Sequence, residues 1–456
     1  MERLTEGVKT LLGNPRKAII KISIPMIIGM SAQMVYNLVD AIWVSGLGAD
    51  ALAAVGFFFP FLFLLMALST GIGIGGSSAI SRKIGEGNKK DADSVALHSI
   101  ILGFLVSIMV GMPFAIFSPQ IFSGMGAGKT TEMAVSYATI LFAFSPFLFF
   151  SGISNAILRG EGDAKRSMYA MLLGSITNIF LDPIMIYWLN LGVAGAAWAT
   201  ALSMTLTSII MFYWLFMKKD TFVSIHFNSF KFRWDIVKEI MKVGLPASVV
   251  QLSMSFSMIA LNIIVVRAGG TDGVAVFTTG WRIVMIGTLP LLGIAAAVTA
   301  VTGAAYGARD VKKLDNAFLY AVKLGFIIEG IVALSTYVFA PWIVMPFTSS
   351  SGSARIEGEL INFLRTIIFF YPFVTFGIFS SAMFQGVGRG INSLAVTILR
   401  TIVLTIPLAY IMGIVMGTGL EGIWRGIVIG NSTAAIISFT WAKLYVSHLK
   451  KIYAPV

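Results

Sequence analysis

The stretch "SITNIFLDPIMIYW", residues 175–188, sets one asparagine and one aspartate into an otherwise apolar run that is long enough, with its flanks, to cross a bilayer. Asp182 sits well inside it and is followed at once by Pro183. Working outward, the whole chain repeats this greasy character. It has 456 residues, of which 57% are hydrophobic and only 12% charged, and its mean hydropathy is +0.87. Soluble domains are about a quarter charged, so a soluble fold is excluded. Apolar stretches of about 20 residues or more recur along the length, each able to span roughly 30 Å of hydrocarbon as a helix. The first, 18–43, is too long for a signal peptide. The absence of cysteine excludes disulfides, thiolate metal sites and cysteine nucleophiles.

Spans are predicted at 18–43, 52–81, 94–117, 133–158, 166–189, 192–217, 237–267, 273–303, 316–341, 358–384, 392–416 and 420–446. The fold class expected is therefore an all-α integral membrane protein of about twelve transmembrane helices. With that count about 25 lysines and arginines fall on one side, Arg3, Arg159 and Lys219 among them. Only four, Lys129, Arg267, Arg355 and Arg425, fall on the other. This bias predicts that both termini are cytoplasmic. It also accounts for the net charge of +12 without nucleic acid as a partner.

The chain repeats internally. "NAILRGEGDAKRSM" (155–168) aligns with "SAMFQGVGRGINSL" (381–394), "ALHSIILGF" (96–104) with "FLYAVKLGF" (318–326), "ISIPMIIG" (22–29) with "VGLPASVV" (243–250), and "LGVAG" (191–195) with "TGLEG" (418–422). The matches keep their order at a nearly constant offset. They predict two parallel six-helix lobes, 1–217 and 237–456, joined by a basic cytoplasmic linker, 218–236. Parallel repeats of this kind place a cavity near the membrane midplane, as in many secondary transporters.

The acidic chemistry is confined to the first half. Asp40 aligns with Leu261, and Asp182 with about Leu408. Trp43 and the pair Tyr187, Trp188 read as interfacial anchors. Asp40 precedes the first by three residues and Asp182 precedes the second by five, so the two carboxylates stand at similar heights. Gln33, Tyr36 and Asp40 form one stripe of the first helix, while Asn178 and Asp182 share a face of the fifth. Tyr137 and Thr200 enter the fourth and sixth helices at similar depth. An ionised aspartate mid-helix costs about 2.5–3.5 kcal/mol on the insertion scale. It is compatible with folding only if it faces protein or water and is partnered or protonated. The alternative tenant is Na⁺, for which Asp40, Asp182, Asn178 and Thr200 are the candidate all-oxygen ligands. Pro25 removes a backbone hydrogen bond from the helix bearing Asp40 and favours a bend.

Together the two repeats, the segment "PMIIGMSAQMVYNLVDAIWVSGLG" (25–48) and "NAILRGEGDAKRSM" resemble the multidrug and toxic compound extrusion (MATE) family, with the MOP-type fold. "NIFLDP" (178–183) resembles its DinF-type branch. The resemblance implies a multi-pass cell-membrane protein that exports amphipathic, often cationic, drugs by antiport with H⁺ or Na⁺. It implies no other cofactor. By matched position it makes Asp40 and Asp182 the coupling carboxylates, with Tyr137, Asn178 and Thr200 in their network. Gln33, Tyr36, Asn155 and Met204 follow as substrate-cavity residues and Pro25 as the bending residue. A monomer is expected.

Two further intramembrane charges, Glu329 and Arg282, lie at similar depth in neighbouring helices and are expected to form an ion pair. A lipid or lipid-linked oligosaccharide flippase of the same superfamily is the alternative reading, with Arg282 and Arg400 as its only evident phosphate-binding groups. An enzyme is not expected. His98, His226 and His448 show no HExxH-type spacing, and "GEGNKKD" (85–91) and "RGEGDAKR" (159–166) lack the spacing of a phosphate-binding loop.

Overall fold

The computed structural model describes residues 4–218, 220–225, 230–349 and 353–453. Arg3, Lys219 and His226 lie outside them. The described residues are helical nearly throughout. In the first half the helices are α1 (Glu6–Leu12), α2 (Pro15–Ser45), α3 (Ala49–Gly85), α4 (Lys89–Ile116), α5 (Ser118–Gly124), α6 (Thr131–Ala143), α7 (Ser145–Gly160), α8 (Ala164–Pro183) and α9 (Gly192–Phe212). The second half has α10 (Trp234–Gly287), α11 (Leu289–Gly307), α12 (Val311–Thr348), α13 (Glu357–Ile367), α14 (Phe370–Gly386), α15 (Gly390–Ile398), α16 (Thr405–Tyr410) and α17 (Gly419–Ile452). In hydrocarbon every backbone polar group must be satisfied within the segment, which leaves long apolar runs no alternative to helix. Among the described residues ten helices are long and apolar enough to span a membrane, and two bent pairs raise the number to as many as 12.

The bends refine the spans expected from the sequence. The fourth, 133–158, is two helices, and the axis turns by 49° between α6 and α7, where Ser145-Pro146 opens the second segment. The tenth, 358–384, turns by 53° between α13 and α14, next to Pro372. The expected eighth span, 273–303, is divided at Thr288, ahead of Pro290, and its first half continues directly from the seventh through Gly270 (φ 57°). Proline has no N–H to give to the preceding turn, so each break falls where a helical hydrogen bond is missing.

The chain packs into two compact units. The first comprises 1–13 and 24–248, the second 14–23 and 249–456. Along the chain the change of unit falls inside α2, between Ser23 and Ile24, and inside α10, after Ser248, rather than in the 218–236 linker. Within the first unit the start of α10 is held by Glu239, which pairs with Arg82 at 3.0 Å and with Lys83 at 3.8 Å. The internal repeat is written into the backbone. α8 runs into a π-helical turn, Ile184–Trp188, and α16 into another, Ile411–Val415. Each is followed by a left-handed glycine, Gly192 (φ 56°) and Gly419 (φ 66°). A Cβ on Gly195 would lie 2.5 Å from the Met185 carbonyl, and one on Gly422 would lie 2.6 Å from that of Met412.

Small residues set the packing behind the first unit's cavity. α3 presents Gly73, Gly75, Gly76, Ser77 and Ser78, buried, to its neighbours, and α7 answers with Gly152, Ala156 and Gly160. Ser81 Oγ donates to the Gly160 carbonyl at 2.9 Å. Close backbone approach of this kind replaces the hydrophobic drive that lipid does not supply. Large apolar side chains instead face outward, among them Phe104, Met109, Met112 and Ile116 on α4.

Candidate functional site: a carboxyl pair beside a polar cavity

The site lies within the first unit. Its geometry starts at one end of α2 and α8, where the Tyr187 hydroxyl donates to the Trp43 carbonyl at 2.6 Å and the two rings meet edge to face at 6.0 Å. The aromatic residues at these helix ends are thus a clasp between the helices. Counting back from the clasp brings Asp40 and Asp182 together, and their carboxyl groups lie within hydrogen-bonding reach of each other. Asp182 is completely buried, and Asp40 is half-buried.

Around the pair the donors run short. Both oxygens of Asp182, Oδ1 of Asp40 and Oδ1 of Asn178 are sealed from solvent and receive no hydrogen bond from the described residues. Asn178 Nδ2 is turned the other way, donating to Thr200 Oγ1 at 3.3 Å. Four inward-facing oxygen atoms without donors, three of them on the two carboxyls, cannot all remain bare in a low-dielectric setting. The donor set fits a shared proton or a small hard cation, and the residues that would hold Na⁺ are Asp40, Asn178, Asp182 and Thr200. Tyr36 of α2 and Tyr137 of α6 lie within electrostatic reach of both aspartates. Tyr137 is buried edge to face against Phe58 at 5.4 Å.

On the other side of Asn178 opens a cavity of about 310 Å³. Gln33, Tyr36, Asn155, Asn178, Thr200 and Met204 all line it, as do Met30, Met66, Met171, Ser69, Thr70, Ser151, Ser203 and Thr207. Asp40, Asp182 and Tyr137 lie behind its wall rather than on it. Asn178, Thr200 and Tyr36 belong both to the surroundings of the carboxyl pair and to the cavity lining. Four methionines line the same space, and their unbranched thioethers pack adaptably against varied shapes. Pro25 is buried in α2, which runs unbroken from Pro15 to Ser45. It stands two residues beyond Ser23, where the helix passes from one compact unit to the other.

Two charges are placed differently from the sequence expectation. Arg159, counted with the loop charges, ends α7 with its side chain in the cavity wall, where Nη1 donates to Asn155 Oδ1 at 2.8 Å. The same Oδ1 accepts from Ser167 Oγ. Its position four residues after Asn155, on the same helix face, is the signal that sequence reading passed over. Glu329 and Arg282 make no ion pair. Arg282 is exposed, whereas Glu329 is fully buried with neither oxygen receiving a hydrogen bond from the described residues. Helix rotation decides this, since similar depth does not make two side chains face one another.

Comparison with known proteins agrees with this architecture. The MatE family model matches residues 25–184 and 246–411. Multidrug export protein MepA of Staphylococcus aureus (strain MRSA252) is 26% identical, with 92% of each chain covered. An outward-facing structure of a multidrug resistance MATE family transporter of the MOP superfamily superposes with a TM-score of 0.96 at 51% identity, covering 99% of this chain and 100% of that one. A MOP-superfamily transporter from Pyrococcus furiosus, whose reversed binding-pocket polarity is said to suggest a different function, gives 0.95 at 50% identity over 98% and 100% of the chains. With both repeats matched and the whole chain aligned, this protein belongs to the MatE family and is a multi-pass transporter of the cell membrane rather than an enzyme.

Proposed function

We propose that the protein is a secondary active exporter that antiports amphipathic drugs, cationic ones among them, against H⁺ or Na⁺ by alternating access. The observation that carries this reading is the carboxyl pair set behind the wall of the methionine-lined cavity, with Asn178 and Thr200 shared between them. A cation arriving between Asp40 and Asp182 satisfies oxygens that otherwise lack partners. Turning Asn178 Oδ1 toward Na⁺, or its amide toward an ionised carboxylate, reshapes the cavity wall on its other side. Ion and drug therefore compete through shared wall residues, Asn178 foremost, without touching. Tyr137 and Tyr36 supply hydroxyls to the same cluster, and α2 bends near Pro25 as the cluster changes state. The basic loop end faces the cytoplasm, and the monomer is the working unit.

One proton crossing 100 mV supplies about 2.3 kcal/mol, and one pH unit adds about 1.4 kcal/mol. Together they support a drug gradient of roughly a few hundredfold per proton. The test is drug efflux from proteoliposomes with ΔpH and ΔNa⁺ imposed separately. One gradient should drive efflux by the wild type, and Asp40→Asn and Asp182→Asn should each abolish it. Normal coupling in both variants would remove the carboxyl pair from the mechanism.

A further inference from the structure

We infer that Arg159 is an anion anchor, and that the ligands this cavity prefers are amphiphiles carrying one carboxylate, sulfonate or phosphate on an apolar body. The inference rests on the reading of the cavity as the drug site and narrows its substrate class beyond simple cations.

The cavity is elongated. α8 contributes its lining from Ala170 to Asn178, a separation of eight residues that rises about 12 Å along the helix axis. The carboxyl pair stands behind the Asn178 end. Arg159, in the last turn of α7, stands toward the other, because Asn155 beside it is tied to Ser167, three residues before Ala170. Nη1 is committed to Asn155, whereas Nε and Nη2 make no hydrogen bond to the described residues. Both nitrogens keep accessible surface, and with Arg159 on the cavity lining they are open to the cavity. Among the described residues no carboxylate pairs with the guanidinium. The acid nearest in sequence, Glu161, accepts instead from the Val223 N–H at 2.9 Å.

The C-terminal end of a helix favours a cation, which explains why Arg159 is tolerated there. It leaves the two free donors unused. A guanidinium stays charged at any accessible pH, and its planar fork matches a carboxylate or phosphate bidentately. Asn155, fixed through the Ser167 hydroxyl, holds the fork in place. At about 310 Å³ the space is at the lower end for drug-sized ligands and too small to enclose a diacyl lipid, so the ligand is a compact amphiphile. Its anion sits at Arg159, its body along the methionines, and any cationic end near Asn178.

The test compares rhodamine 110, whose carboxylate is free, with its methyl ester, rhodamine 123, by fluorescence anisotropy on the purified full-length protein. The wild type should bind the free acid at least about tenfold more tightly than the ester. Arg159→Gln should weaken the acid by about ten- to a hundredfold, the span expected for hydrogen bonds to a charged group, and the ester by less than about threefold. Arg159→Lys should recover part of the loss. The inference is overturned if the wild type binds neither dye, if it binds the ester as tightly as the acid, or if Arg159→Gln weakens both equally. Should Arg159→Gln fail to fold, the acid-to-ester ratio of the wild type and of Arg159→Lys decides. Gradient-driven efflux of the ester from proteoliposomes reports on export separately. Its absence alongside an intact acid preference would count against the exporter reading and leave the anchor standing.

Discussion

Asp182 has no exposure, and neither of its oxygens receives a hydrogen bond from the described residues, so its substitution by asparagine separates folding from coupling. Asp182→Asn keeps the shape and gives Asp40 an N–H donor. The thermal midpoint in detergent should equal or exceed that of the wild type, while ion-driven efflux disappears. A large loss of stability would instead make the carboxyl a structural group. Glu161, between α7 and α8, carries a pH dependence that can be signed. Burial pushes its carboxyl up to about 8, opposed by the hydrogen bond from the Val223 N–H and raised further by Asp163. A folded-state value above the unfolded one means that the folded protein holds the proton more strongly. The contribution is therefore fully present below about 4.5 and is lost as pH rises through about 8. The melting temperature of the wild type should fall across that window relative to Glu161→Gln, whose amide oxygen still accepts from Val223. Parallel curves would exclude the effect.

At the scale of the element, the two halves repeat a device rather than only a hydropathy pattern. The α8 and α16 segments both end in a π-turn, then a left-handed glycine, then a glycine pressed against the carbonyl of the preceding segment. Gly195→Ala and Gly422→Ala each force a Cβ to within 2.5–2.6 Å of a backbone oxygen. The obstacle is main chain at Gly195, and main chain together with the Thr418 hydroxyl at Gly422, so each should cost about 1–3 kcal/mol and lower the melting temperature by similar amounts. Gly56→Ala, with nothing within 4 Å of its new Cβ, should be neutral or stabilising by about 0.5–1 kcal/mol. Differential scanning fluorimetry of the three variants checks the contrast, and equal behaviour of all three would sink it. The bends before α7 and α14 follow the same logic, since Pro146 and Pro372 occupy matched places in the two repeats.

At the scale of the molecule, the first fifteen residues of α10 pack with the first unit. Gly71 and Gly75 of α3 meet Gly244 and the Ile240 carbonyl, and Glu239 reaches Arg82. A fragment ending at 217 lacks this segment and uncovers the glycine face of α3. A fragment 1–248 should therefore elute as a sharper, less aggregated species in size-exclusion chromatography than 1–217. Identical profiles would show that the start of α10 contributes nothing to that unit.

How much of this was legible in advance follows from the range of each interaction. Composition, span length, the internal repeat and the depth of Asp40 and Asp182 are properties of one helix or of its rise per residue. The sequence by itself therefore determined the membrane class, the repeat and the height at which the acidic residues meet. The stripe of Gln33 and Tyr36, and the shared face of Asn178 and Asp182, were readable for the same reason. Only the tertiary structure decided which faces look at each other. It turned Arg159 from the loops into the cavity, left Glu329 without Arg282, split the spans at Thr288 and before Pro372, and set Asn178 between the carboxyl pair and the cavity. Helix periodicity specifies a side chain's height and direction about its own axis, but the rotation of one helix against the next is set by small-residue packing between elements distant in sequence.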